Sequence, residues 1–467
     1  MERPGPPLLY NKMIGLSKKL VEEILQHGNI YEVGGCVRDS LLGMGIAEKD
    51  RDYLVTKIPL DSLIAILKRH GYVDLVGKSF GVLKFTASSN GESSSTIYDI
   101  ALPRSEYSTG TGHRDFHIDF DHNLPVQQDL GRRDFTINAI ARDLRTDKLI
   151  DPYHGQEDMK RGLIRMLNQN TFKDDPLRML RAVQFAARFE FEIEPQTLQA
   201  IKINAALIKT VSPERLQEEF NKMLVKAGKP SIGFLLMKDC GLMEHVLPEL
   251  LVCVDVDQPG GYHAHDVFTH SIYTVDQLPA GLHLRLAGLF HDLAKPQAKE
   301  VVEGSARFYG HETAGAGMAA NILQRLRYSN QIIADVKTLV KRHMFTAELS
   351  DKGVRRLIKK VGKDLIFDLL ELRRADVVAQ GMGNTTPEID HLEQRIRKEL
   401  EENVPLGVRQ LAVNGTDIMK EFDLPQSKII GEILNHLLEY VLDFPERNKR
   451  EILIEQTRLF LKKKERE

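Results

Sequence analysis

Residues 31–52 read YEVGGCVRDSLLGMGIAEKDRD and decide the fold of the N-terminal part of the chain. After a β-rich run, Gly34 and Gly35 bring no Cβ, so a phosphate can approach the backbone, and the helix pattern that follows offers free N–H groups. Asp50 and Asp52 end the stretch at i, i+2 spacing, which on a strand sends both carboxylates to one face. Such carboxylates repel each other unless a cation lies between them, so the pattern predicts a divalent metal beside a phosphate site.

Length and composition favour a soluble protein of several domains. A chain of 467 residues is too long for one ordinary core, and we expect two to four domains. The hydrophobic content of 42% and the charged content of 28% are typical of globular proteins, and there is no apolar run of membrane-spanning length. The first residues, MERPGPPLLYNK, lack the apolar core of a signal peptide, and the three cysteines are scattered. We therefore expect a cytoplasmic protein.

The charge balance gives no global sign of nucleic-acid binding, because the net charge is −2. Basic residues outnumber acidic ones within 160–188 and 202–238. A local basic face is one interpretation, and ordinary solvated helix faces are the other.

The patterns divide the chain into an α/β part and a helical part. The runs DYLVT, VLKFTA and TIYDIAL predict strands, whereas the polar, glycine-containing residues 103–128 predict a mobile loop. Strand signals fade after Asp151, and in the last segment apolar residues from Ile429 to Val441 line one helix face, with Ser427 as its cap. The expected segments are an N-terminal extension 1–27, a head 28–155, a helical region 156–250, a histidine-rich helical region 251–380 and a helical tail 381–467.

Two further residues extend the metal and phosphate site. Arg38, on the first turn after the glycines, is placed to contact a triphosphate, although a surface arginine is the ordinary alternative. Asp99, in TIYDIAL, adds a third carboxylate from a second strand. Carboxylates suit Mg²⁺, and two such ions would polarise an attacking hydroxyl and stabilise a leaving pyrophosphate.

Two longer blocks supply donors for phosphate, ribose and base. The block GRRDFTINAIA (residues 131–141) holds Arg132, Arg133, Asp134 and Asn138. The block DDPLRMLRAVQFAARF (residues 174–189) places Asp175, Arg178 and Arg181 at i, i+3, i+6 spacing, which predicts one helix face. A carboxylate beside a guanidinium presents an acceptor and a donor together to a base edge. An Asp–Arg salt bridge within the helix is the alternative.

In this order, VGGCVRDSLLG…DRD, RRDFTINAIA, DDPLRMLRAVQFAARF and ERLQEEF resemble the motifs of the class II tRNA nucleotidyltransferase and bacterial poly(A) polymerase family, over residues 28–225. The resemblance implies an α+β fold. Its parts would be a nucleotidyltransferase palm, with a mixed sheet and helices, followed by an all-helical neck and body, a further helical domain and a helical tail.

The same resemblance implies roles for individual residues. Asp50 and Asp52 would bind catalytic Mg²⁺, with Asp99 as the third carboxylate. Asp175 and Arg178 would act as a protein template that pairs with CTP and then, reoriented, with ATP. The nucleotide-contacting set would be Gly34, Gly35, Arg38, Arg133, Asp134, Asn138, Asp175, Arg178 and Arg181. Where the family usually has Glu-Asp, this chain has Asp174 before Asp175, a change we expect to affect support rather than base recognition.

The length of the segment after Arg104 bears on which nucleotides are added. CC-adding members have a shortened loop before the RRD block, whereas here residues 104–129 look full-length and begin with Arg104-x-Glu106. We therefore expect addition of the terminal A, and hence CCA addition. An A-adding enzyme and a poly(A) polymerase of the same family remain alternatives.

A second site is predicted among the helices. His291-Asp292 in GLFHDLAKP is accompanied by His270, His311, His343 and Asp376, and such ligands suit Ni²⁺, Mn²⁺ or Fe. Their order resembles the HD metal-dependent phosphohydrolases. By that resemblance the metal ligands would be His270, His291, Asp292 and Asp376. His311 and His343 would bind substrate phosphate or a second ion. A helical body with scattered histidines is the alternative.

Long tRNA nucleotidyltransferases carry such an HD domain, with phosphatase and 2′,3′-cyclic phosphodiesterase activities. The resemblance thus implies tRNA, through its acceptor arm and 3′ end, with CTP and ATP as partners, no membrane, and a monomer or a homodimer. A rival of another class is an HD phosphohydrolase with an inactive head, against which the intact Asp50-x-Asp52 argues.

Overall fold

A computed structural model describes residues 15–45, 51–76, 82–87, 96–108, 116–258, 264–302, 305–381, 385–402 and 404–464. The chain divides into two compact units. The first comprises residues 1–223 and 227–246, and the second comprises residues 224–226 and 247–467. Among the helices described, none combines the length and the apolar character that a membrane span requires.

The first unit is built on one mixed sheet. The strands of this part are β1 Asn29–Val33, β2 Asp52–Thr56, β3 Gly71–Val76, β4 Val82–Ala87, β5 Ile97–Ala101, β6 Arg104–Ser108, β7 Phe116–Phe120, β8 Ala141–Asp143 and β9 Leu149–Ile150. Within the described residues the order in the mixed sheet is β3-β4-β5-β2-β1-β8-β9, and β6 and β7 form a separate pair. All three strands predicted from β-rich runs are confirmed as β2, β4 and β5. Strands β2 and β5 are parallel, and their neighbours pair antiparallel.

The two faces of this sheet have different cores because successive side chains alternate. One face carries Ile30, Tyr53, Phe85 and Tyr98, which pack with the helix residues Leu20 and Ile24. The other face carries Tyr31, Val33 and Leu54, which pack with Val126, Leu130 and Ala139. Register places Asp52 opposite Val33 and beside Asp99, so both aspartates belong to the second face.

Helices pack around the sheet, and the later part of the first unit is mainly helical. Those of the first unit are α1 Lys18–His27, α2 Gly35–Leu41, α3 Leu60–Lys68, α4 Val126–Gly131, α5 Gly155–Arg161, α6 Thr171–Asp174, α7 Leu177–Phe189, α8 Pro195–Asn204, α9 Pro213–Lys226, α10 Pro230–Asp239 and α11 Met243–Val246. A two-stranded parallel pair, β10 Leu163–Ile164 with β11 Glu192–Ile193, lies beside α7. The predicted fading of strands after Asp151 is thus confirmed in the described residues.

The second unit is almost wholly helical. Its helices are α12 Pro248–Leu251, α13 Val267–Gln277, α14 Leu282–Phe290, α15 Lys295–Ala298, α16 His311–Arg325, α17 Asn330–Arg342, α18 Asp351–Val361, α19 Ile366–Ala379, α20 Pro387–Glu401, α21 Gly415–Glu421, α22 Lys428–Asp443 and α23 Arg450–Lys464. Strands β12 Glu300–Val302 and β13 Ser305–Arg307 form a short hairpin. Ile433, Leu437 and Val441 of α22 are buried, as the apolar face predicted, although Ser427 makes no side-chain capping bond.

A buried ion pair joins three helices of this second unit. Arg355 of α18 donates to the Leu442 carbonyl of α22 at 2.7 Å and to Glu399 of α20 at 2.8 Å. Both charged side chains are only 10% exposed. A buried charge that loses its partner is costly, so this pair fixes how the three helices pack.

One sequence-based expectation is wrong. The polar residues 103–128, predicted as a loop, contain β6 and β7, which pair antiparallel from Arg104 opposite Phe120 to Ser108 opposite Phe116. The period-two alternation in FHIDF is enough for a two-stranded ribbon even though the composition is polar.

None of the three cysteines forms a disulfide. Cys36, Cys240 and Cys253 are all buried and free. Burial raises the pKa of Cys36 and of Cys240 to about 11, and that of Cys253 to about 12. Their thiols are therefore protonated and unreactive at neutral pH.

Candidate active sites

The turn between β1 and α2 brings the glycines against an arginine of the RRD block. Gly34 has φ +76°, a left-handed conformation that favours glycine, and a Cβ there would lie 2.6 Å from Nη1 of Arg133 and 3.8 Å from Oδ2 of Asp52. The missing side chain therefore lets the guanidinium of Arg133 and the carboxylate of Asp52 both approach the backbone just before α2. Asp50, the predicted partner of Asp52, lies outside the described residues.

The carboxylates of β2 and β5 stand side by side. Asp52 begins β2, is exposed, and pairs in register with Asp99 of β5. Asp99 is 41% exposed and accepts from Lys84 of β4 at 2.9 Å. Exposed carboxylate oxygens on one face are a donor set that suits Mg²⁺. The residues present thus fit the predicted ion.

A buried carboxylate links the RRD block to α7. Asp134 accepts from the backbone N–H of Phe135 and from Asn138, both at 2.8 Å, and pairs with Arg181 at 2.8 Å. Burial alone would raise the pKa of Asp134, but Arg181 and the Asn138 hydrogen bond lower it to about 2. Arg181 continues the network to Glu219 of α9 at 3.2 Å. Asp134 is therefore ionised at neutral pH.

Arg38 lies inside this network. Its guanidinium donates to Asn138 at 2.6 Å and to Asp39 at 2.7 Å, and it lies 4.8 Å from the ring of Phe185 and 4.9 Å from that of Phe189. The Arg38 side chain is 5% exposed. Its donors are thus engaged by protein groups, and its predicted contact with nucleotide stays a prediction.

Asp175 and Arg178 lie near each other but not on one helix face. Asp175 is extended, with φ −145° and ψ 101°, and α7 begins only at Leu177. The predicted helical spacing from Asp175 is wrong because Pro176 excludes the residue before it from the helical region. Asp175 instead accepts from the Leu177 N–H at 3.2 Å and pairs with Arg215 of α9 at 2.8 Å, rather than forming a bridge within α7.

Arg178 reaches the RRD block from the first turn of α7. It donates to the Arg132 carbonyl at 2.8 Å. Arg132 and Arg133 are in turn both held by Asp129, which is fully buried, at 2.7 and 3.4 Å. Sequence reasoning missed Asp129, although an aspartate three and four residues before two arginines, here just past the end of α4, is a recognisable pairing signal. The predicted residues of the RRD block, α2 and α7 are thus linked by contacts, and Asp52 and Asp99 lie on two paired strands.

The histidine cluster of the second unit is fully assembled. His270 on α13, His291 and Asp292 after α14, His311 and His343 at the ends of α16 and α17, and Asp376 on α19 are all buried. They form two triads of ligand atoms within 4.8 Å of one another: His270, His291 and Asp376, and Asp292, His311 and His343. Five separate helices thus converge on one polar point in the interior.

Asp292 joins the two triads. Its Oδ2 lies 3.2 Å from Nε2 of His291, and its Oδ1 lies 3.4 Å from Nε2 of His311 and 3.7 Å from that of His343. Each oxygen of one carboxylate therefore faces a different triad. That arrangement suits two metal ions that share a bridging ligand.

The histidines are oriented as metal ligands. Nδ1 of His291, of His311 and of His343 each contacts the carbonyl three residues earlier, at 2.8, 2.6 and 2.7 Å. A carbonyl only accepts, so Nδ1 of each ring carries a proton and Nε2 faces the cluster. Nε2 is the ligand atom when it carries no proton, so this shared orientation fits metal coordination.

Charge in the cluster also favours a cation. Burial alone would raise the pKa of Asp292, but His291 and Lys295 hold it well below its usual range. Burial lowers the pKa of His343 to about 3, which keeps that ring neutral. Lys295, with Nζ 2.6 Å from Asp292, was missed from the sequence, although its i+3 position in HDLAK is a signal for contact. Two ionised interior carboxylates thus require nearby positive charge.

Comparison with known proteins matches three family models to the chain. Residues 30–165 match the model described as the poly A polymerase head domain, residues 190–253 match an RNA and SrmB-binding site of polymerase A, and residues 313–457 match tRNA nucleotidyltransferase domain 2. A multifunctional CCA protein of Paraburkholderia phymatum is 35% identical over 326 residues, which are 67% of this chain and 73% of that relative.

The chain belongs to the tRNA nucleotidyltransferase family. Another relative, an A-adding tRNA nucleotidyltransferase of Deinococcus radiodurans, is 35% identical over 332 residues, covering 67% of this chain and 75% of that one. The crystal structure of the Bacillus stearothermophilus CCA-adding enzyme in complex with CTP covers 96% of this chain and 97% of its own, with a TM-score of 0.71 and 22% identity. The predicted α+β palm followed by helices is confirmed as a tRNA nucleotidyltransferase fold.

Proposed function

We propose that this protein adds CCA to the 3′ end of tRNA. The RNA 3′-hydroxyl attacks the α-phosphate of CTP or ATP, the bond to the β-phosphate breaks, and pyrophosphate leaves. The observation that carries the proposal is the approach of Asp52 and Arg133 to the backbone of Gly34, with Asp99 on the strand beside Asp52. Carboxylate oxygens near a guanidinium support a site for Mg²⁺ and a triphosphate.

Seven residues are assigned direct contacts with the metal or the nucleotide. Asp50 and Asp52 would hold Mg²⁺, which supplies charge neutralisation at the reacting phosphate. Arg133 and the first turn of α2, from Gly34 and Gly35, would bind the triphosphate. Asp175 and Arg178 would pair with the base edge, since both are only partly buried.

Buried members of the network are assigned to positioning. Asn138 accepts from Arg38 and donates to Asp134, and Arg181 joins Asp134 to Glu219 of α9. Together they fix the distance between α2, the RRD block and α7. Pre-organised donors are effective because they need little rearrangement when charge develops.

A substitution at β2 tests the head. We expect Asp52→Asn to lower nucleotide incorporation into tRNA by about a thousandfold or more, equivalent to about 4 kcal/mol of activation free energy. Asp147→Asn is the control, because Asp147 is 79% exposed and outside the site. Unchanged incorporation by Asp52→Asn would leave the head without its assigned role and would favour an HD phosphohydrolase with an inactive head.

Nucleotide specificity is tested by product length. A tRNA that lacks its last three nucleotides is incubated with labelled CTP, ATP or both, and the products are sized. CCA addition requires CTP and stops after three residues. An A-adding enzyme extends only tRNA that ends in CC, and a poly(A) polymerase makes long tails from ATP alone.

We further propose that the histidine cluster hydrolyses phosphate esters, including 2′,3′-cyclic phosphates. Six buried ligand residues in two triads, with one oxygen of Asp292 facing each triad, favour this second function. His270, His291, Asp292 and Asp376 would hold one Ni²⁺, Mn²⁺ or Fe ion, and His311 and His343, with the second Asp292 oxygen, a second ion. Such hydrolysis would clear damaged 3′ ends before nucleotide addition.

Paired variants separate the two functions. H291A/D292A should lose hydrolysis of 2′,3′-cyclic AMP and keep nucleotide incorporation, whereas Asp52→Asn should do the opposite. His283→Ala is the matched control, because His283 lies on α14 but pairs with Asp368 at 2.8 Å instead of joining the cluster. Wild-type hydrolysis by H291A/D292A would remove the second function alone. We place both reactions in the cytoplasm, with a monomer or a homodimer as the working form.

A further inference from the structure

The sheet face that carries the carboxylates continues beyond them as an exposed row of side chains. Register places Tyr72 of β3 opposite Thr86 of β4, and Thr86 opposite Ile97 of β5. Directly paired residues point to the same face, and Ile97 is two residues before Asp99 on one strand, so the row shares the face of Asp99. Tyr72 is 70% exposed and Ile97 is 49% exposed.

The exposure of these two side chains is not explained by the core. The adjacent residues on the same three strands point to the opposite face and pack into its core: Val73, Phe85 and Tyr98. The alternation fixes the register, and moving Tyr72 inward would expose that whole set. Large apolar side chains aligned on an open face indicate a binding surface.

We propose that the single-stranded 3′ end of the RNA primer lies across this row, with its bases stacked on Tyr72 and Ile97. This inference rests on the proposed function, because it extends the path of the RNA backward from the reacting hydroxyl. Exposed aromatic side chains on sheet faces are a recurrent way to hold unpaired bases.

Distances along the sheet match steps of an extended single strand. Two residues along β5 separate Asp99 from Ile97, which is about 7 Å, and two strand spacings separate Ile97 from Tyr72, which is about 10 Å. The terminal nucleotide at the carboxylates would therefore be followed by one base near Ile97 and another near Tyr72. Continuity with the carboxylate row favours RNA over a protein segment.

Charge on the face favours bases rather than phosphates as the contacting groups. Asp74 is exposed, and its cross-strand partner Lys84 is paired with Asp99 at 2.9 Å. The row next to Tyr72 thus carries more carboxylates than ammonium groups and would repel a phosphate. Neutral base faces meet no such cost, and the RNA phosphates would point away from the sheet.

The test measures AMP incorporation into tRNA that ends in CC, in which the last three nucleotides are unpaired. We expect Tyr72→Ala to raise the KM for this tRNA about tenfold, while the KM for ATP and kcat stay within twofold. Tyr72→Phe should restore the wild-type KM because it keeps the ring, and Tyr309→Ala, which removes a tyrosine of 69% exposure from the other unit, should change nothing. An unchanged KM for tRNA in Tyr72→Ala overturns the inference.

A double-mutant cycle that combines Tyr72→Ala with abasic RNA substrates identifies which base contacts Tyr72. Substrates with an abasic site at the second or third nucleotide from the 3′ end are compared with wild-type protein and Tyr72→Ala. Stacking on Tyr72 predicts that at one of these positions the two losses do not add, and full additivity at both overturns the inference. If the wild-type protein incorporates no nucleotide into any tRNA, the proposed function fails, and the inference fails with it.

Discussion

The ion pair between Asp134 and Arg181 should stabilise the head by about 2 kcal/mol. An aspartate ordinarily has a pKa of 3.8, and Asp134 is lowered to about 2, which corresponds to about 2 kcal/mol in favour of the ionised form. Loss of one partner from a fully buried pair costs about 3–5 kcal/mol, but Arg181 is 31% exposed and water compensates it in part. Asp134→Asn keeps the shape and removes the charge, so we expect a loss of about 2 kcal/mol.

Urea unfolding at several pH values tests this expectation. The protein contains no tryptophan, so circular dichroism at far-ultraviolet wavelengths follows the transition. The folded pKa of Asp134 is depressed, so its stabilisation is present above the unfolded pKa near 3.8 and is lost as the pH falls toward 2. The difference between wild type and Asp134→Asn should therefore be full at pH 6 and small near pH 2.

A matched variant separates charge loss at this site from a general effect. Asp147→Asn changes an aspartate that is 79% exposed in the same unit, and asparagine tolerates its left-handed φ of 58°, so we expect less than about 0.5 kcal/mol. Equal urea midpoints for wild type and Asp134→Asn at pH 6 would refute the reasoning. So would a difference that does not change with pH.

Further predictions concern the triphosphate turn, the second unit and its metal. Gly34→Ala puts a side chain 2.6 Å from an arginine at a strained positive φ, and should lower kcat/KM for CTP about a hundredfold together with a small fall in melting temperature; wild-type kinetics would contradict this. Arg355→Met should destabilise the second unit by about 3 kcal/mol by stranding Glu399, whereas Arg356→Met, whose ion pairs are half exposed, should cost about 1 kcal/mol or less in the same urea titration. Mn²⁺ or Ni²⁺ at a hundred times its Kd should stabilise wild type by about 3 kcal/mol in thermal melts and leave Asp292→Asn unshifted; equal shifts would exclude Asp292 as the shared ligand.

Local patterns predicted the parts of the head that depend on neighbouring residues. Alternation in DYLVT and TIYDIAL located β2 and β5, and the glycine pair located the turn before α2. Their parallel pairing, which sets Asp52 beside Asp99, joins residues 47 positions apart and leaves no local signal. The presence of carboxylates on β2 and β5 could thus be predicted from the sequence. Their position side by side could not.

Sequence spacing failed where one residue overrides a pattern. Pro176 removes Asp175 from α7, although the i, i+3, i+6 spacing indicated one face. The burial of Arg38 against Phe185 was equally beyond local patterns, because it depends on tertiary packing. By contrast, the members of the histidine cluster were predicted from their ligand types and from their order along the chain, which resembles that of the HD phosphohydrolases, and the structure brings them together.

Because the natural cysteines are buried and protonated, the native sequence is suitable for site-specific fluorescent labelling. Maleimide dyes attack thiolates, and pKa values of about 11 to 12 at Cys36, Cys240 and Cys253 leave very little thiolate at pH 7. A single exposed cysteine introduced beside either reaction centre would therefore take up a fluorophore against a silent background. Movements during successive additions could then be followed without first replacing the natural thiols.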